Sequence, residues 1–262
     1  MSAIFKVATF NANSIRARMS IVVDWLSRQK PDVLCIQETK VKDQDFPVDE
    51  FARAGYHVTF RGQKGYAGVA VATLERPYNV AFGIDDGETA DEPRLIRLKL
   101  GEIDIVNTYV PQGRSVDSEL FTYKLEWFSR LREYFSRHFD PTGTLLWCGD
   151  FNVAPEPIDV HNPTRLKNHV DFHPDVHAAL ERVREWGFLD VFRRHHPGEQ
   201  GHYTFWDYRV RAALKRNIGW RVDHIWATVQ LAERSTAAWI DRSAREATRP
   251  SDHTFLVAEF SP

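Results

Sequence analysis

Short apolar runs of strand length recur along this chain, and many of them end abruptly at a polar residue. The clearest one spans residues 144–148 and leads into Gly-Asp-Phe-Asn-Val-Ala-Pro at 149–155. An apolar run that ends at a glycine is typical of a buried strand. Because residues i and i+2 of a strand project to the same face, Asp150 and Asn152 are predicted to point together from the strand end. Such a pair can bind a hard cation or orient an attacking water, although an Asx turn would use the same residues.

Strand and helix signals alternate along the chain. Helical apolar spacing occurs at 21–29, and a longer amphipathic segment at 118–138 carries Leu120, Leu125, Phe128, Leu131 and Phe135 on one stripe. A loop rich in Pro and His is predicted over 155–174, followed by a helix that ends at Trp186. The predicted strands span residues 4–10, 32–36, 56–61, 68–73, 78–82, 94–100, 103–109, 144–148, 221–227 and 254–260.

These elements predict an α/β fold, namely a four-layer α/β sandwich in which two packed mixed β-sheets are flanked by helices. No repeat, low-complexity tract or linker divides the sequence, so residues 1–262 are predicted to form a single domain.

The composition narrows the class of protein. Hydrophobic residues make up 43% and charged residues 27%, which is ordinary for a globular protein. No apolar stretch approaches the roughly 20 residues that span a bilayer, and the first residues lack the pattern of a signal peptide. A cytoplasmic protein without a membrane partner is therefore predicted. Cys35 and Cys148 lie in apolar runs and are predicted to be reduced core residues. The net charge of −2 neither favours nor excludes nucleic acid as a partner.

Polar residues stand at the ends of several predicted strands. One such residue is common, because turns favour Asp and Asn, but a whole set at strand ends can converge on one edge of a sandwich. Carboxylates and carboxamides suit a magnesium site, and a histidine oriented by an aspartate suits phosphoester hydrolysis. Asp223 is the predicted orienting partner of His253. The set consists of Asn11, Glu38, Tyr109, Asp150, Asn152, Asp223, Asp252 and His253.

Several short sequence elements occur in chain order, at Asn11 and residues 34–40, 109–113, 149–155, 205–209, 219–223 and 250–253. They include Gln-Glu-Thr, Gly-Asp-Phe-Asn and Ser-Asp-His, together with Pro-Gln-Gly, Phe-Trp-Asp-Tyr-Arg and Gly-Trp-Arg-Val-Asp. In these elements the chain resembles the exonuclease III family of apurinic/apyrimidinic endonucleases, within the endonuclease/exonuclease/phosphatase superfamily. The first three elements are common to the superfamily, whereas the last three indicate its DNA-repair branch.

The resemblance implies a Mg²⁺ cofactor, with Mn²⁺ as a substitute, and leaves open whether one or two ions act. Glu38 is implied as the principal ligand, with Asn11 and Asp252 close to the same ion. The implied metal set also includes Asp150, Asn152 and His253. Lys40 either supports Glu38 electrostatically or is a solvated lysine after a strand.

The resemblance also implies catalytic roles. Asp150 would activate the attacking water, and Asn152 would hold the scissile phosphate. His253, supported by Asp223, would contact a non-bridging phosphate oxygen. Tyr109 would donate its phenol to the phosphate or help the leaving group. The structural alternatives are a core aromatic at Tyr109 and a histidine satisfied at a strand start at His253.

Residues 193–221 combine basic residues with aromatic ones, a composition suited to phosphates and unstacked nucleotides. The basic residues are Arg193, Arg194, Arg209, Arg211, Lys215, Arg216 and Arg221. The alternative is a solvated loop with core aromatics. By resemblance, Phe205, Trp220 and Val222 match a pocket for a flipped-out abasic sugar, and Gln112, Arg94 and Arg114 are candidate DNA contacts.

The predicted function is a magnesium-dependent DNA repair nuclease that acts as a monomer on double-stranded DNA. It would incise 5′ to abasic sites and remove nucleotides or blocking groups from 3′ ends. One alternative is a phosphodiesterase or phosphatase of the same superfamily with a non-DNA substrate. Another is a catalytically silent binding module on the same fold.

Overall fold

The computed structural model describes residues 4–87 and 92–262. The strands are β1 (Phe5–Asn11), β2 (Val33–Gln37), β3 (His57–Arg61), β4 (Val69–Thr73), β5 (Tyr78–Phe82), β6 (Leu95–Leu100), β7 (Ile103–Tyr109), β8 (Leu145–Asp150), β9 (Phe188–Asp190), β10 (Asp223–Thr228), β11 (Ser235–Asp241) and β12 (Phe255–Phe260). The α-helices are α1 (Ile15–Gln29), α2 (Val48–Arg53), α3 (Glu119–His138), α4 (Pro163–Leu166), α5 (Pro174–Arg184), α6 (Val191–His195) and α7 (Val229–Glu233).

The strands form two mixed sheets of six strands each. The first has the order β11-β12-β1-β2-β4-β3, and the second has the order β5-β6-β7-β8-β10-β9. Each sheet contains one parallel pair at its centre, β1 with β2 and β7 with β8. The remaining pairs are antiparallel.

Side chains alternate between the two faces of the central strands, and this alternation produces the four layers of the fold. Val7 of β1 and Leu146 of β8 lie in the core between the two sheets, whereas Ala8 packs outward with Trp25 of α1. On the other side, Trp147 packs outward into a cluster with α3 and α5. Period-2 alternation therefore buries both faces of each sheet, and the predicted four-layer α/β sandwich is confirmed. That residues 1–262 form one domain stays a prediction.

A buried polar contact joins the two sheets near the ends of β2 and β7. The amide nitrogen of Gln37 on β2 donates to Asn107 Oδ1 on β7 at 2.7 Å. The amide nitrogen of Asn107 in turn donates to the carbonyl oxygens of Ile36 and Ala70. Because buried amides are costly unless paired, these bonds favour one relative register of the sheets.

The structure corrects several local predictions. Leu120 is 44% exposed and does not belong to the buried stripe of α3, which is formed by Phe121, Trp127 and their neighbours. The predicted loop at 155–174 contains α4 and a short 3₁₀ helix at Pro157–Asp159. The sequence analysis also missed β9, β11 and the short helices α2, α6 and α7. Both cysteines are buried and free, as predicted. In the described part of the chain no helix is long and apolar enough to cross a membrane.

Candidate active site

Strand register brings the predicted polar residues to one edge of the sandwich. Tyr109 ends β7 directly opposite Asp150 at the end of β8, and Asp150 is opposite Asp223 at the start of β10. In the other sheet, Asn11 at the end of β1 is opposite Gln37, the residue before Glu38. Residues far apart in the chain thus become neighbours because of strand pairing.

Asn11 connects carboxylates from the two sheets. Its amide nitrogen donates to Glu38 Oε1 and to Asp150 Oδ2, both at 2.8 Å, while its amide oxygen accepts from the backbone N–H of Asn13. In this arrangement the amide nitrogen, not the oxygen, faces the two carboxylates. The role of Asn11 as a metal ligand stays a prediction, and its evident contribution is to hold Glu38 beside Asp150.

A second chain of contacts leads from Glu38 to Asp252. Lys40 Nζ lies 2.6 Å from Glu38 Oε2 and donates to Asn13 Oδ1, and Asn13 Nδ2 donates to Asp252 Oδ1 at 2.9 Å. Lys40 therefore pairs with Glu38 and is not a solvated lysine. Burial raises the pKa of Glu38, but Lys40 and the bond from Asn11 outweigh burial and lower it. Sequence analysis missed Asn13, for which the only signal was its position two residues after Asn11.

His253 and Asp223 form a buried pair. His253 Nδ1 donates to Asp223 Oδ2 at 2.8 Å, and His253 Nε2 lies 4.0 Å from Asp150 Oδ2. Burial alone would lower the pKa of His253. The charge and hydrogen bond of Asp223, followed by the charges of Asp150 and Asp252, instead raise it to about 10. The predicted orienting partnership of Asp223 and His253 is present in the geometry, with Nε2 left for a ligand.

Asp150 is buried among other acidic groups. Its Oδ1 accepts from the backbone N–H of Asn152 at 2.8 Å. Burial first, and then the charge of Asp223, raise the pKa of Asp150 to about 8, although His253 and Asn11 oppose this. A carboxyl group in this range can accept or return a proton near neutral pH.

Two backbone features explain why the motif at 149–152 needs its residues. Gly149 has φ +142°, and a Cβ there would lie 1.9 Å from the carbonyl oxygen of Thr108 on β7. Asn152 adopts the left-handed region with φ +49°, which asparagine tolerates better than most residues. Its amide nitrogen donates to the Val110 carbonyl at 2.9 Å, which leaves the second amide N–H and the amide oxygen for a ligand.

Lys124 of α3 binds the loop at residues 149–152 through its ammonium, and its role was not predicted from the sequence. The three N–H groups of its buried ammonium are shared among four acceptors, namely the carbonyls of Asn152 at 2.7 Å, Gln112 at 3.2 Å and Val170 at 3.0 Å, and Asp171 Oδ1 at 2.9 Å. It thus joins three loops at the candidate site.

Tyr109 lies half-buried at the end of β7. Burial, followed by the charges of Glu38 and Asp150, raises the pKa of its phenol well above the usual range, so the phenol remains a donor at neutral pH. The guanidinium of Arg94 stacks over the Tyr109 ring at 4.8 Å and bonds to Glu92 and to the Tyr109 carbonyl. With its side chain only 12% exposed, Arg94 positions Tyr109, and its DNA contact stays a prediction.

A cleft of about 870 Å³ opens in front of these groups. Glu38, Tyr109, Asn152, Asp252 and His253 line one side of it. The predicted pocket and DNA-contact residues lie on the same cleft, namely Phe205, Trp220, Val222, Gln112 and Arg114. His161 and His169, to which the sequence analysis assigned no role, also line it.

The apolar wall of the cleft is built by backbone pairing. Phe205 forms isolated antiparallel bridges with Trp220 and with His253, and the rings of Phe205 and His253 lie 4.8 Å apart. Trp220 is only 9% exposed and packs with Val222 and Phe172. Trp220 therefore belongs both to a small core and to the cleft surface. It is at once a core aromatic and a residue of the predicted sugar pocket.

The predicted basic surface at 193–221 is wrong for two of its members. Arg221 is fully buried, with Nε 2.6 Å from Asp159 Oδ1 and Nη1 2.8 Å from Asp190 Oδ2. Arg193 also pairs with Asp159. The carboxylates that pair with these arginines, Asp159 and Asp190, lie outside residues 193–221. The excess of basic residues within 193–221 therefore did not predict an exposed basic surface. Arg165, Arg209 and Arg216 line the cleft instead.

The donor set of the cleft fits a hard divalent cation. Glu38, Asp150 and Asp252 supply carboxylate oxygens, the ligand type that such ions prefer. Ligand atoms of Asp150, Asp223 and His253 also lie within 4.8 Å of one another. Asp223 Oδ1 is buried without a hydrogen-bond partner. Burial first, and then the charge of Asp223, raise the pKa of Asp150, and a cation would relieve both effects.

Comparisons with known proteins agree with this geometry. Residues 8–253 match the model of the endonuclease/exonuclease/phosphatase family. The chain is 32% identical to the exodeoxyribonuclease III of Haemophilus influenzae, over 97% of this chain and 99% of that protein. It is similar to the structure of an AP endonuclease from Archaeoglobus fulgidus, with 54% identity, a TM-score of 0.96 and coverage of 98% and 100% of the two chains. It is also similar to a Neisseria 3′ phosphatase bound to product DNA hairpin, with 31% identity, a TM-score of 0.92 and coverage of 98% and 100%.

Proposed function

The chain belongs to the endonuclease/exonuclease/phosphatase family, in the branch of exodeoxyribonuclease III and AP endonucleases, and from this premise we propose how its cleft acts on DNA. The protein is a DNA repair nuclease. It hydrolyses the phosphodiester 5′ to an abasic site, and the same cleft removes nucleotides or blocking groups from the 3′ ends of duplex DNA.

The observation that carries the proposal is the continuity of two surfaces. The polar side chains that line the cleft face the same space as its apolar wall, which is formed by Phe205, Trp220 and Val222. Those polar residues are Glu38, Tyr109, Asn152, Asp252 and His253. An abasic sugar is small and lacks a base, so it fits where a whole nucleotide would not, and it leaves the duplex at low cost because no base pair or stack is lost. Binding it against this wall would present its 5′ phosphate to these polar residues.

Each polar residue of the site then has its own role in the hydrolysis. Asp150, whose pKa of about 8 suits proton transfer, takes a proton from the attacking water and returns one to the leaving oxygen. His253 is held cationic by Asp223, and it stabilises negative charge on a non-bridging phosphate oxygen. Asn152 holds the phosphate through the second N–H of its side-chain amide, since the first is donated to the Val110 carbonyl, and the Tyr109 phenol donates to the phosphate.

The cofactor is Mg²⁺, for which Mn²⁺ can substitute. Glu38 would be its principal ligand, and Asp150 and Asp252 would share it, since Asn11 contacts Glu38 and Asp150 and Asn13 contacts Asp252. A bound ion supplies Lewis-acid stabilisation of charge at the phosphate. Glu38 would hold the ion in preference to the Asp223–His253 pair, because Asp223 Oδ2 is already hydrogen-bonded to the His253 ring.

The main experiment uses a labelled duplex with a single abasic site, a matched intact duplex with a recessed 3′ end, and a phospholipid or soluble phosphodiester. Incision at the abasic site with Mg²⁺, and no turnover of the non-DNA esters, is the expected result. No incision with either Mg²⁺ or Mn²⁺ would refute the proposed function.

A variant tests the metal assignment. Glu38→Gln should raise the Mg²⁺ concentration at half-maximal activity without weakening DNA binding to the same degree, because a carboxamide is a poorer cation ligand. Glu102→Gln, at an exposed position away from the cleft, is the matched control. An unchanged Mg²⁺ midpoint in Glu38→Gln would remove Glu38 from the metal site.

A further inference from the structure

A second cluster of metal-ligating groups lies outside the cleft, in the segment that follows α6. His196, Glu199 and His202, here called the surface triad, place three potential ligand atoms within 4.8 Å of one another. Glu199 Oε2 is 3.1 Å from His196 Nδ1 and 2.9 Å from His202 Nε2. Among the residues that the structure describes, the only other such group is the one at Asp150.

The orientation of His196 suits a metal ion between Nδ1 and Glu199. Its Nε2 is 2.8 Å from the carbonyl oxygen of Ala238 on β11. A carbonyl can only accept, so Nε2 carries a proton, and Nδ1 faces the Glu199 carboxylate at 3.1 Å. The positive charge that this contact requires is supplied by a second ring proton or by a metal ion that displaces it. A histidine that donates its other N–H to a backbone carbonyl is also the usual arrangement at protein metal sites.

The surface triad is held in place before any ion binds. The ring of His196 stacks on Phe192 with centroids 4.5 Å apart, and His202 meets the same ring edge-on at 5.5 Å. Arg193 Nη1 donates to the carbonyl of Glu199 at 2.7 Å and to that of His196 at 3.2 Å. These contacts fix both the backbone and the rings, so little ordering remains to oppose binding.

The ligand chemistry selects the class of ion. Two imidazole nitrogens and one carboxylate oxygen suit Zn²⁺ and its neighbours Co²⁺, Ni²⁺ and Cu²⁺, whereas Mg²⁺ prefers oxygens alone. Ligand atoms about 2.1 Å from a tetrahedral ion lie roughly 3.4 Å apart, so the observed separations need to open only slightly. The side chains of His196, Glu199 and His202 are 24%, 51% and 36% exposed, so a fourth position remains open to water.

We propose that the surface triad binds one transition-metal ion of the Zn²⁺ class, separately from the Mg²⁺ of the cleft. The segment continues from His202 to Thr204, whose hydroxyl accepts from the backbone N–H groups of Val222 and Asp223. An ion there would stabilise the approach to the cleft wall and would not take part in the reaction.

The test titrates the chelator-stripped full-length protein with Co²⁺ and Zn²⁺ in millimolar Mg²⁺, which keeps the cleft occupied. Co²⁺ absorption bands report nitrogen ligation, and calorimetry reports stoichiometry and affinity. One equivalent bound with a Kd in the micromolar range or tighter is expected. Binding of the ion should also raise the melting temperature.

His202→Ala and Glu199→Gln should each weaken Zn²⁺ binding by about ten-fold or more. His57→Ala, at an exposed histidine on β3, should leave it unchanged. All variants should keep wild-type abasic-site incision in Mg²⁺ alone, because the triad is outside the cleft. The absence of Co²⁺ and Zn²⁺ binding under these conditions would overturn the proposal. So would affinity equal to wild type in both triad variants, because the ion would then be bound elsewhere.

Discussion

Replacing Lys124 by Met tests whether one buried ammonium holds the candidate active site together. Lys124 is fully buried, and its four acceptors belong to the loops that carry Gln112, Asn152 and residues 170–171. Burial lowers the pKa of Lys124, and Asp171 opposes that effect through charge and hydrogen bonding. Methionine fills a similar volume but donates nothing. The change therefore isolates the ammonium from the packing of its stem.

The expected loss of folding stability follows from the groups that Lys124→Met leaves without a partner. Asp171 is only 12% exposed and would keep a charge without its main partner, and three carbonyls would each lose a donor. Removing one partner of a buried ion pair costs about 3–5 kcal/mol. Asp171 retains a longer contact at 3.5 Å from the Gln112 amide, which favours the lower end of that range. A loss of about 3 kcal/mol corresponds to a fall in melting temperature of roughly 6–12 °C.

Urea unfolding and calorimetry of Lys124→Met measure the stability, and single-turnover incision well below the melting temperature measures the site. We expect the rate to fall by about ten-fold, since small displacements of catalytic groups are costly. Lys42→Met, at an exposed lysine, is the control. In the double variant with Asp171→Asn, part of the stability should return because the uncompensated charge is gone. A melting temperature within about 2 °C of wild type, together with an unchanged rate, would refute this reasoning.

Three further predictions concern the cleft and the core behind it. Asp150→Asn should lower kcat by about 10²–10⁴-fold while DNA affinity is kept or increased, and a residual rate above about a tenth of wild type would exclude the proton-transfer role. Trp220→Ala should impair abasic-site incision more than trimming of an intact 3′ end, because its indole walls the sugar pocket. Equal loss of both rates with a lower melting temperature would indicate a core role alone. The pKa of His224, lowered to about 4 by burial and then by Arg221, predicts that stability is lost as pH falls from about 6.5 toward 4, because the unfolded chain takes up the proton first. Between pH 7.5 and 5.0, wild type should lose about 2 kcal/mol more of its unfolding free energy than His224→Gln, and identical pH slopes would contradict this.

Local sequence patterns were sufficient to predict the central strands and the residues that end them. Val7 faces the core between the sheets and Ala8 faces outward, and this alternation of side chains can be predicted from neighbouring residues alone. The same holds for the end of an apolar run at Asp150. The polar residues predicted at strand ends do lie together, because parallel pairing of β7 with β8 and of β1 with β2 aligns those ends. Gly149 could be read as a strand end, although its close approach to Thr108 could not.

Other elements had no adequate local signal. β11 has mostly small or half-buried residues on a sheet edge, and β9 is only three residues long, so neither shows a clear period of two. Leu120 fits the helical stripe by spacing, but only the packing of α3 against the sheet decides that Phe121 is buried instead.

Tertiary structure alone decided which charges are buried and paired. Lys124 reads as a solvated lysine on an amphipathic helix, and Arg221 reads as part of a basic surface. Both are fully buried because their partners, Asp171 and Asp159, are brought to them from 47 and 62 residues away. The desolvation of a charged group is repaid only by such partners, and their positions depend on the complete fold rather than on the neighbouring sequence.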